Sequence, residues 1–394
     1  MAKSLDFLDN QKTAALKEWQ AFENSPALLG ANSFYDRLER DVKKMFGYPA
    51  NRVNISAATQ YLLLLHYTAP FSNNCGDVNE RGNYALDSKD VEKLILRAFA
   101  EKFGMGENHW GYVTSGGTES NSCGIASAFA KYPNGVLYYS QSAHYSIGKA
   151  AKLYKHLEIP TKGKDVMDKE ALFAAILRNY ESLRLPANIV LTHGTTQFGE
   201  CDDTDAVVAF LRQHKIPYYL HVDAALFGGI PNNQTDAPLI KNAKEKGIHS
   251  ICVSLHKYLG FPDVHSVFVS TEAPYGEKIE YIGQRDTTVS GSRSIPSYAL
   301  YNHVLEQLNE TDPLRYSRNV HLFSEMLTKR NIPFYRAEKS NIFVIDEPSS
   351  AVCKEFQLSC FHENHADGTH SKKAHIIIFP CHTKENMQAL ADSL

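Results

Sequence analysis

The segment VSLHKYLGFP, residues 253–262, places a lysine beside a histidine at the point where an apolar run ends. A lysine at the end of a buried strand is usually solvated, and that is one interpretation of Lys257. The other is carbonyl chemistry, because a lysine whose pKa is lowered in an enclosed pocket forms a Schiff base with an aldehyde. The groups that the fold brings beside Lys257 decide between the two.

Three more features fall at predicted strand ends, where ligands bind in open α/β sheets. TSGGTESN (114–121) joins a strand to a helix through two glycines, so it is either a plain capped turn or a phosphate cradle. His144, in SAHYS, is either a capping histidine or a ring that stacks on a flat ligand. Asp223, directly after the apolar YYLHV, is either a cap or the partner of a protonated ring nitrogen.

Together these features offer a phosphate cradle, a stacking ring, a carboxylate for a pyridinium nitrogen and an amine for an aldehyde. The glycine turn has neither the GxxxxGK[ST] nor the GxGxxG spacing, so a nucleotide-hydrolysing or dinucleotide-binding fold is not favoured. Pyridoxal 5′-phosphate is the one common cofactor that requires all four groups. The sequence therefore predicts that Lys257 forms a Schiff base with this cofactor.

The hydrophobic pattern indicates which elements position these groups. LDNQKTAALKEWQAFE, DSKDVEKLILRAFAEKFGM and AHYSIGKAAKLYKHL have helical spacing, and strands such as GVLYYS, NIVLTHGTT and SICVSL are continuously apolar. Such strands between helices are typical of an α/β fold with a mostly parallel sheet covered on both faces. We expect an N-terminal helical arm (1–70), a large cofactor-binding domain (71–300) and a small C-terminal α/β domain (301–394).

Composition narrows the class of protein. The formal net charge of −3 gives no support for nucleic-acid binding, and no run approaches the roughly 18 apolar residues of a membrane span. Seven scattered cysteines without CxxC spacing indicate reduced thiols, and the N-terminus lacks the apolar core of a signal peptide. The sequence thus predicts a cytoplasmic protein.

The segment CFHENHADGTHSKKAH contains several ligands that zinc accepts. His362, His365, His370 and His375 follow Cys360, but their spacing fits no standard zinc signature. The segment is interpreted as a polar loop before the strand IIIFP, and no metal site is predicted.

Seven motifs occur in a fixed order: FSNNCGD, WGYVTSGGTESN, LYYSQSAHYS, HGTTQFGECDD, YLHVDAALFGG, SLHK and EYIGQRDTTVSGSR. From about residue 70 to 300 the chain resembles the group II pyridoxal-phosphate-dependent amino-acid decarboxylases. Within that group it is most similar to the bacterial histidine decarboxylases and plant serine decarboxylases. The resemblance implies a fold-type I, aminotransferase-like architecture and a homodimer with active sites at the interface.

The resemblance also implies roles for individual residues. Lys257 corresponds to the Schiff-base lysine, Asp223 to the partner of the pyridine nitrogen, and His144 to the ring that stacks on the cofactor. The other implied contacts are Ser115, Gly116, Gly117 and Thr118 in the phosphate turn, Ser254 and His256 at the phosphate, Thr195 or Thr196 near the phenolic oxygen, Ala225 against the ring, and Thr288 and Ser290 of TVSGSR near the phosphate of the neighbouring subunit.

The implied reaction is decarboxylation of an L-amino acid to the amine and CO₂. Histidine is the first expectation for the substrate, and serine, aspartate or an aromatic amino acid are alternatives. Leu255 in SLHK, the segment GSRSI and His265 in FPDVHSV depart from the family pattern at the border of the expected substrate pocket. Another lyase or aldolase reaction on the same cofactor, and a catalytically silent homologue acting as a partner protein, are the competing hypotheses.

Overall fold

The structure is a computed structural model that describes residues 26–68, 73–84, 86–364 and 369–394. The helix predicted around residues 8–22 lies outside these ranges. The described helices are α1 (Pro26–Asp41), α2 (Ala57–Thr68), α3 (Lys89–Phe103), α4 (Gly117–Lys131), α5 (Tyr145–Ala151), α6 (Lys169–Leu183), α7 (Thr204–Gln213), α8 (Ser297–Leu308), α9 (Ser317–Lys329), α10 (Ser350–Glu355) and α11 (Lys384–Ser393). The strands are β1 (Asn74–Cys75), β2 (Trp110–Thr114), β3 (Val136–Ser140), β4 (His156–Ile159), β5 (Thr161–Lys162), β6 (Val166–Met167), β7 (Ala187–Thr192), β8 (Tyr218–Asp223), β9 (Ser250–Ser254), β10 (Ser266–Ser270), β11 (Lys278–Ile279), β12 (Gln284–Arg285), β13 (Ser292–Arg293), β14 (Ile342–Asp346), β15 (Ser359–Asn364) and β16 (His370–Ile377).

A seven-stranded sheet forms the centre of the chain, in the order β2-β10-β9-β8-β7-β3-β4. Strand β10 runs antiparallel to both of its neighbours, and the remaining pairs are parallel. Every residue of β2, β3, β7, β9 and β10 is buried, which explains why these strands are continuously apolar rather than alternating. The predicted α/β fold with a mostly parallel sheet is confirmed.

Helices cover both faces of this sheet. On one face, Ile95 and Phe99 of α3 belong to a large core that includes Val113 and Val253 of the sheet. On the other face, Ile125 of α4 packs with strand residues such as Leu137 and Val190. Because α4 follows β2 directly, its N-terminus lies at the edge where the parallel strands end.

Two local predictions need correction. The segment AHYSIGKAAKLYKHL was predicted as one helix, but α5 ends at Ala151 and His156–Ile159 form the edge strand β4 beside β3. Backbone pairing with β3 outweighs the helical spacing there. The predicted polar loop after Cys360 is instead largely a hairpin of β15 and β16, whose polar side chains are tolerated because β15 is an edge strand.

A second core lies in the C-terminal part of the chain. The antiparallel sheet β14-β16-β15 packs with α9, α10 and α11 around Phe323, Phe343 and Ile376. Phe46 belongs to the same core, and its backbone carbonyl accepts a 2.6 Å hydrogen bond from the Ile377 amide. A segment of the predicted N-terminal arm thus packs on the C-terminal unit, and the three-domain division at residues 70 and 300 remains a prediction.

Within the described ranges, no helix combines the length and the apolar character that crossing a bilayer requires.

A buried ion pair connects the helix α3 to the segment around β13. The side chains of Glu92 and Arg293 are 0% and 3% exposed, and Arg293 Nη2 lies 3.4 Å from Glu92 Oε2. Glu92 also accepts hydrogen bonds from Asn74 Nδ2 (2.8 Å) and from the Val113 amide (2.9 Å). The Glu92 carboxylate therefore joins three elements at one end of the sheet.

Replacement of Glu92 by alanine should destabilise the fold strongly, because the charge of Arg293 would remain buried without its partner. The expected loss in the free energy of unfolding is about 3–5 kcal/mol, measured by urea denaturation. The matched control is Glu101→Ala, which removes an ion pair with Arg97 whose side chains are 65% and 68% exposed. Equal destabilisation by the two variants would contradict this assignment.

Candidate active site

A cavity of about 700 Å³ opens where the parallel strands β3, β7, β8 and β9 end. Most of the residues predicted from the sequence meet there, from turns that are up to 142 positions apart in the chain (115 to 257). Those that line it are Ser115, Gly116, Gly117, Thr118, His144, Thr195, Thr196, Asp223, Ala225, Ser254, His256 and Lys257.

The predicted residues Thr288 and Ser290 do not line this cavity. Thr288 donates its hydroxyl hydrogen bond to Asp286 Oδ1 at 2.6 Å, and Ser290 donates to Glu119 Oε1 at 2.5 Å. Val289, between them, does line the cavity, so the loop borders it through its apolar residue.

Lys257 and Asp223 face the same cavity without pairing with each other. In the described part of the chain, no carboxylate oxygen lies within 4.0 Å of the Lys257 ammonium, although the residue is half-buried. Burial lowers the pKa of His144, the Asp223 carboxylate opposes this shift, and the Lys257 charge adds to it. His144 thus lies in the field of both groups. Its Nδ1 also accepts from the Ser146 amide (3.3 Å), so the capping interpretation holds together with the site interpretation.

A hydrogen-bonded chain holds Asp223, which is 5% exposed. Asn121 Nδ2 donates to Asp223 Oδ2 at 2.8 Å, and the Ala225 amide donates to Oδ1 at 3.1 Å. Since the Asn121 amide group faces Asp223 with its nitrogen, its Oδ1 accepts from His221 Nε2 at 3.0 Å. His221 Nδ1 then accepts from the Ser250 hydroxyl at 2.8 Å.

His221 remains neutral in this chain. Burial lowers the pKa of His221 to about 4, although the nearby Asp223 charge raises it. Asn121 and His221 lie in the motifs TSGGTESN and HVDAALFGG, but neither was predicted as a site residue. No sequence spacing could have paired them, because they lie on α4 and β8, 100 positions apart.

The glycine turn before α4 has the shape of a cradle. Gly116 has φ +141°, a conformation that favours glycine, and a Cβ at Gly117 would lie 2.9 Å from Ser254 Oγ. The backbone of this turn therefore lies open toward the strand-end serine. The Ser115 hydroxyl donates to Glu119 Oε2 at 2.5 Å.

Comparison with known proteins identifies the family. Residues 127–273 match the family described as pyridoxal-dependent decarboxylase conserved domain. A histidine decarboxylase of Pseudomonas entomophila is 32% identical over 385 residues, covering 92% of this chain and 89% of the relative. The chain belongs to the pyridoxal-dependent decarboxylase family.

Other relatives agree with this assignment. A histidine decarboxylase of Acinetobacter baumannii is 34% identical and covers 79% of this chain and 82% of its own length. Serine decarboxylase 2 of Oryza sativa subsp. japonica is 33% identical, with coverages of 83% and 70%. The solved L-methionine decarboxylase from Streptomyces sp. 590 superposes with a TM-score of 0.76 at 20% identity, over 93% of this chain and 94% of that chain. The predicted fold-type I architecture is confirmed, and the protein is an amino-acid carboxy-lyase that uses pyridoxal 5′-phosphate.

The cavity of the decarboxylase fits this cofactor. Thr192, the register partner of Asp223, lines the cavity, and its buried Oγ1 has no hydrogen-bond partner among the described residues. The cavity therefore combines an unused hydroxyl, an anion held by neutral donors, an unpaired amine and a glycine cradle. These are the groups that a phosphorylated pyridine aldehyde requires. Thr192 was not predicted, whereas the nearby Thr195 and Thr196 were.

The wall opposite the strand ends comes from the two ends of the chain. Its residues are Gly47, Tyr48 and Pro49 from the N-terminal part, and Ile342, Ser359, His375 and Ile377 from the C-terminal sheet. None of these residues was predicted from the sequence, because no local pattern marks a residue that meets the site only after the two units pack. His265, which departs from the family pattern, is buried and does not line the cavity, but the adjacent Val264 does.

The histidines considered as zinc ligands do not form a cluster in the described residues. His375 Nε2 donates to the Gly47 carbonyl at 3.1 Å, and His362 pairs with Lys372 across the hairpin. His365 lies outside the described ranges.

Replacement of Asn121 by leucine should weaken cofactor binding, because Asp223 would lose a donor that Leu cannot replace. Loss of a hydrogen bond to a charged group predicts a dissociation constant raised about 10-fold or more, measured by absorbance titration with pyridoxal 5′-phosphate. The control Asn179→Leu removes a 2.8 Å hydrogen bond to Tyr138 on the opposite face of the sheet. Unchanged cofactor affinity in Asn121→Leu would refute this role, and so would an equal loss of affinity in the control.

Proposed function

We propose that this decarboxylase converts L-histidine to histamine and CO₂. The observation that supports the reaction is the shared cavity of Lys257 and Asp223, with the glycine cradle beside them. The relatives that are named histidine decarboxylases, at 32–34% identity, support histidine as the substrate. The rice relative is named a serine decarboxylase at a similar 33% identity, so serine is the second candidate.

The cavity residues that were predicted from the sequence each have a proposed task toward the cofactor. Lys257 holds the cofactor aldehyde, Asp223 keeps the ring nitrogen protonated, and His144 packs on the ring. Held by these residues, the cofactor would supply an electron sink for the pair that remains when CO₂ leaves. The remaining proposed contacts are Ser115, Gly116, Gly117, Thr118, Ser254 and His256 at the phosphate, Thr195 or Thr196 at the phenolic oxygen, and Ala225 at the ring.

The donors around Asp223 supply the electrostatic part of catalysis. Because Asn121 and the Ala225 amide both donate to its carboxylate, the charge is stabilised although the group is nearly buried. The neutral His221 behind Asn121 adds no competing positive charge. The Asp223 carboxylate is therefore not neutralised by a neighbouring side chain, and it can stabilise a cation in the cavity.

Replacement of Lys257 by alanine should abolish covalent attachment of the cofactor and lower kcat by at least about 10²-fold, the lower limit for losing a positioned proton-transfer group. Borohydride reduction of the loaded wild-type enzyme, followed by peptide mass spectrometry, should show the cofactor on residue 257. The control Lys169→Ala changes an exposed lysine paired with Asp203.

A panel of free amino acids, with amine and CO₂ measured together, identifies the substrate. Histamine formed from histidine with kcat/KM above that for serine, aspartate and the aromatic amino acids is the expected result. Another preferred amino acid would reject the substrate but not the reaction. Loaded wild-type enzyme that releases no CO₂ from any of them would indicate the silent homologue or a different lyase reaction.

We further propose that the enzyme is a cytoplasmic homodimer with its active sites at the interface. All seven cysteines are free, which is usual in a reducing compartment. Large apolar side chains are exposed along α2, including Tyr61, Leu64 and Leu65, and exposed patches of this kind usually mark protein–protein contacts. Val264 and Val289 at the cavity rim are also more than half exposed. In this dimer Thr288 and Ser290 would approach the phosphate of the neighbouring subunit.

Replacement of Leu64 by aspartate should shift the enzyme from dimer to monomer, because a charge would be buried at the interface. Light scattering after size-exclusion chromatography measures the mass directly. The control Leu183→Asp alters a leucine that is equally exposed (61%) but lies at the end of α6. A dimer that persists in Leu64→Asp would place the interface elsewhere.

A further inference from the structure

A group of three unassigned ligands lies on the C-terminal unit, outside the active site. Cys353 of α10 and Cys360 of β15 have their Sγ atoms 3.4 Å apart. A carboxylate oxygen of Glu347 lies with both sulfurs inside a set whose members are all within 4.8 Å of one another. Cys360 is exposed, and Cys353 and Glu347 are half-buried, so the group is open to solvent on one side.

The distance between the two sulfurs is close to that of two ligands around one tetrahedral ion. Two thiolates at about 2.3 Å from zinc lie about 3.8 Å from each other, and a carboxylate oxygen at about 2.0–2.2 Å completes a third corner. The observed sulfur–sulfur distance differs from this value by a few tenths of an ångström, which side-chain rotation can supply. The two sulfurs therefore already lie near the spacing that one ion requires, with the Glu347 oxygen within 4.8 Å of both.

The backbone under the three ligands is well anchored. The Glu347 amide donates to the Lys372 carbonyl at 3.0 Å, and the Leu358 amide donates to the Cys353 carbonyl at 2.9 Å. Cys360 is paired with Ala374 in the C-terminal sheet. A ligand set fixed in this way loses little conformational entropy when an ion binds.

The charge of the group favours binding of a cation, because Glu347 places a carboxylate beside the two sulfurs. Among the described residues, no lysine, arginine or histidine nitrogen lies within 4.0 Å of the Glu347 carboxylate, so its negative charge is available.

We propose that Glu347, Cys353 and Cys360 form a binding site for a thiophilic divalent cation of the Zn²⁺ class. Binding replaces the two thiol protons, which leave to solvent, by two metal–sulfur bonds and adds one metal–oxygen bond, with water in the fourth position. The ion would connect α10 to β15 one residue after Ser359, which lines the active-site cavity. The site is independent of the substrate proposed above.

Cobalt(II) is the spectroscopic probe for this site. The full-length holoenzyme, reduced and kept under nitrogen, should bind one Co²⁺ with a thiolate-to-cobalt charge-transfer band and the intense visible bands of tetrahedral cobalt, and Zn²⁺ should remove both. Cys353→Ser and Cys360→Ser should each lose most of the charge-transfer intensity. Glu347→Gln should keep both sulfurs but bind about 10-fold or more weakly. Cys381→Ser, which changes a cysteine outside the cluster, should leave the spectrum unchanged.

A measurement on the wild-type chain tests the proposal without any variant, so misfolding of a variant cannot affect the result. Saturating Zn²⁺ should slow alkylation of Cys353 and Cys360 by about 10-fold or more, because a sulfur bound to the metal is not available to the alkylating reagent. Alkylation of Cys75 should not change. The absence of a thiolate band in the wild-type enzyme, its persistence in the Cys353→Ser/Cys360→Ser double variant, or unprotected alkylation would overturn the proposal. A Cys353–Cys360 disulfide that forms in air even with saturating Zn²⁺ would identify a redox pair instead and would also overturn it.

Discussion

A nearly buried carboxylate must be kept charged, and the decarboxylase site is arranged around that constraint at Asp223. In the described residues no lysine or arginine pairs with it; its hydrogen bonds come from neutral donors, Asn121 and the Ala225 amide. A lysine or arginine paired with Asp223 would neutralise the carboxylate before a ligand binds. Neutral donors hold the anion in place and leave its charge to act on a cation in the cavity.

Close packing of α4 on the sheet makes this arrangement possible. A Cβ at Gly124 would lie 2.5 Å from the ring of His221, so only glycine lets the helix approach the β8 histidine so closely. At that distance Asn121, one turn earlier, reaches Asp223 with its nitrogen and His221 with its oxygen. The same helix begins at the glycine turn, so one element reaches both that turn and the Asp223 carboxylate.

The lysine turn depends on a segment far away in the chain. The Lys257 carbonyl accepts a 2.9 Å hydrogen bond from the Asn51 amide, and Asn51 Nδ2 donates to the Tyr258 carbonyl at 2.8 Å. The preceding residues 47–49 line the cavity, and Phe46 packs in the C-terminal core. Residues 46–51 therefore connect the C-terminal unit, the cavity wall and the turn that carries Lys257.

The sequence by itself determined which reactive residues stand at the ends of the buried strands. Lys257, Asp223, His144 and the glycine turn could be predicted because buried parallel strands have a continuous apolar pattern and because their carboxyl ends meet at one edge. The mostly parallel sheet followed from the same pattern. Local helical spacing was less informative, since it extended α5 into the residues that pair as β4.

Only the tertiary structure decided the partners of these groups. Asn121, His221 and Thr192 acquire their roles from the packing of α4 on β8 and from the register of β7 with β8, neither of which leaves a mark in the spacing of residues. The wall formed by Tyr48, Ser359 and His375 arises where the two ends of the chain pack together. A contact between residues hundreds of positions apart depends on the whole fold, whereas a residue type at the end of an apolar run depends on its neighbours alone.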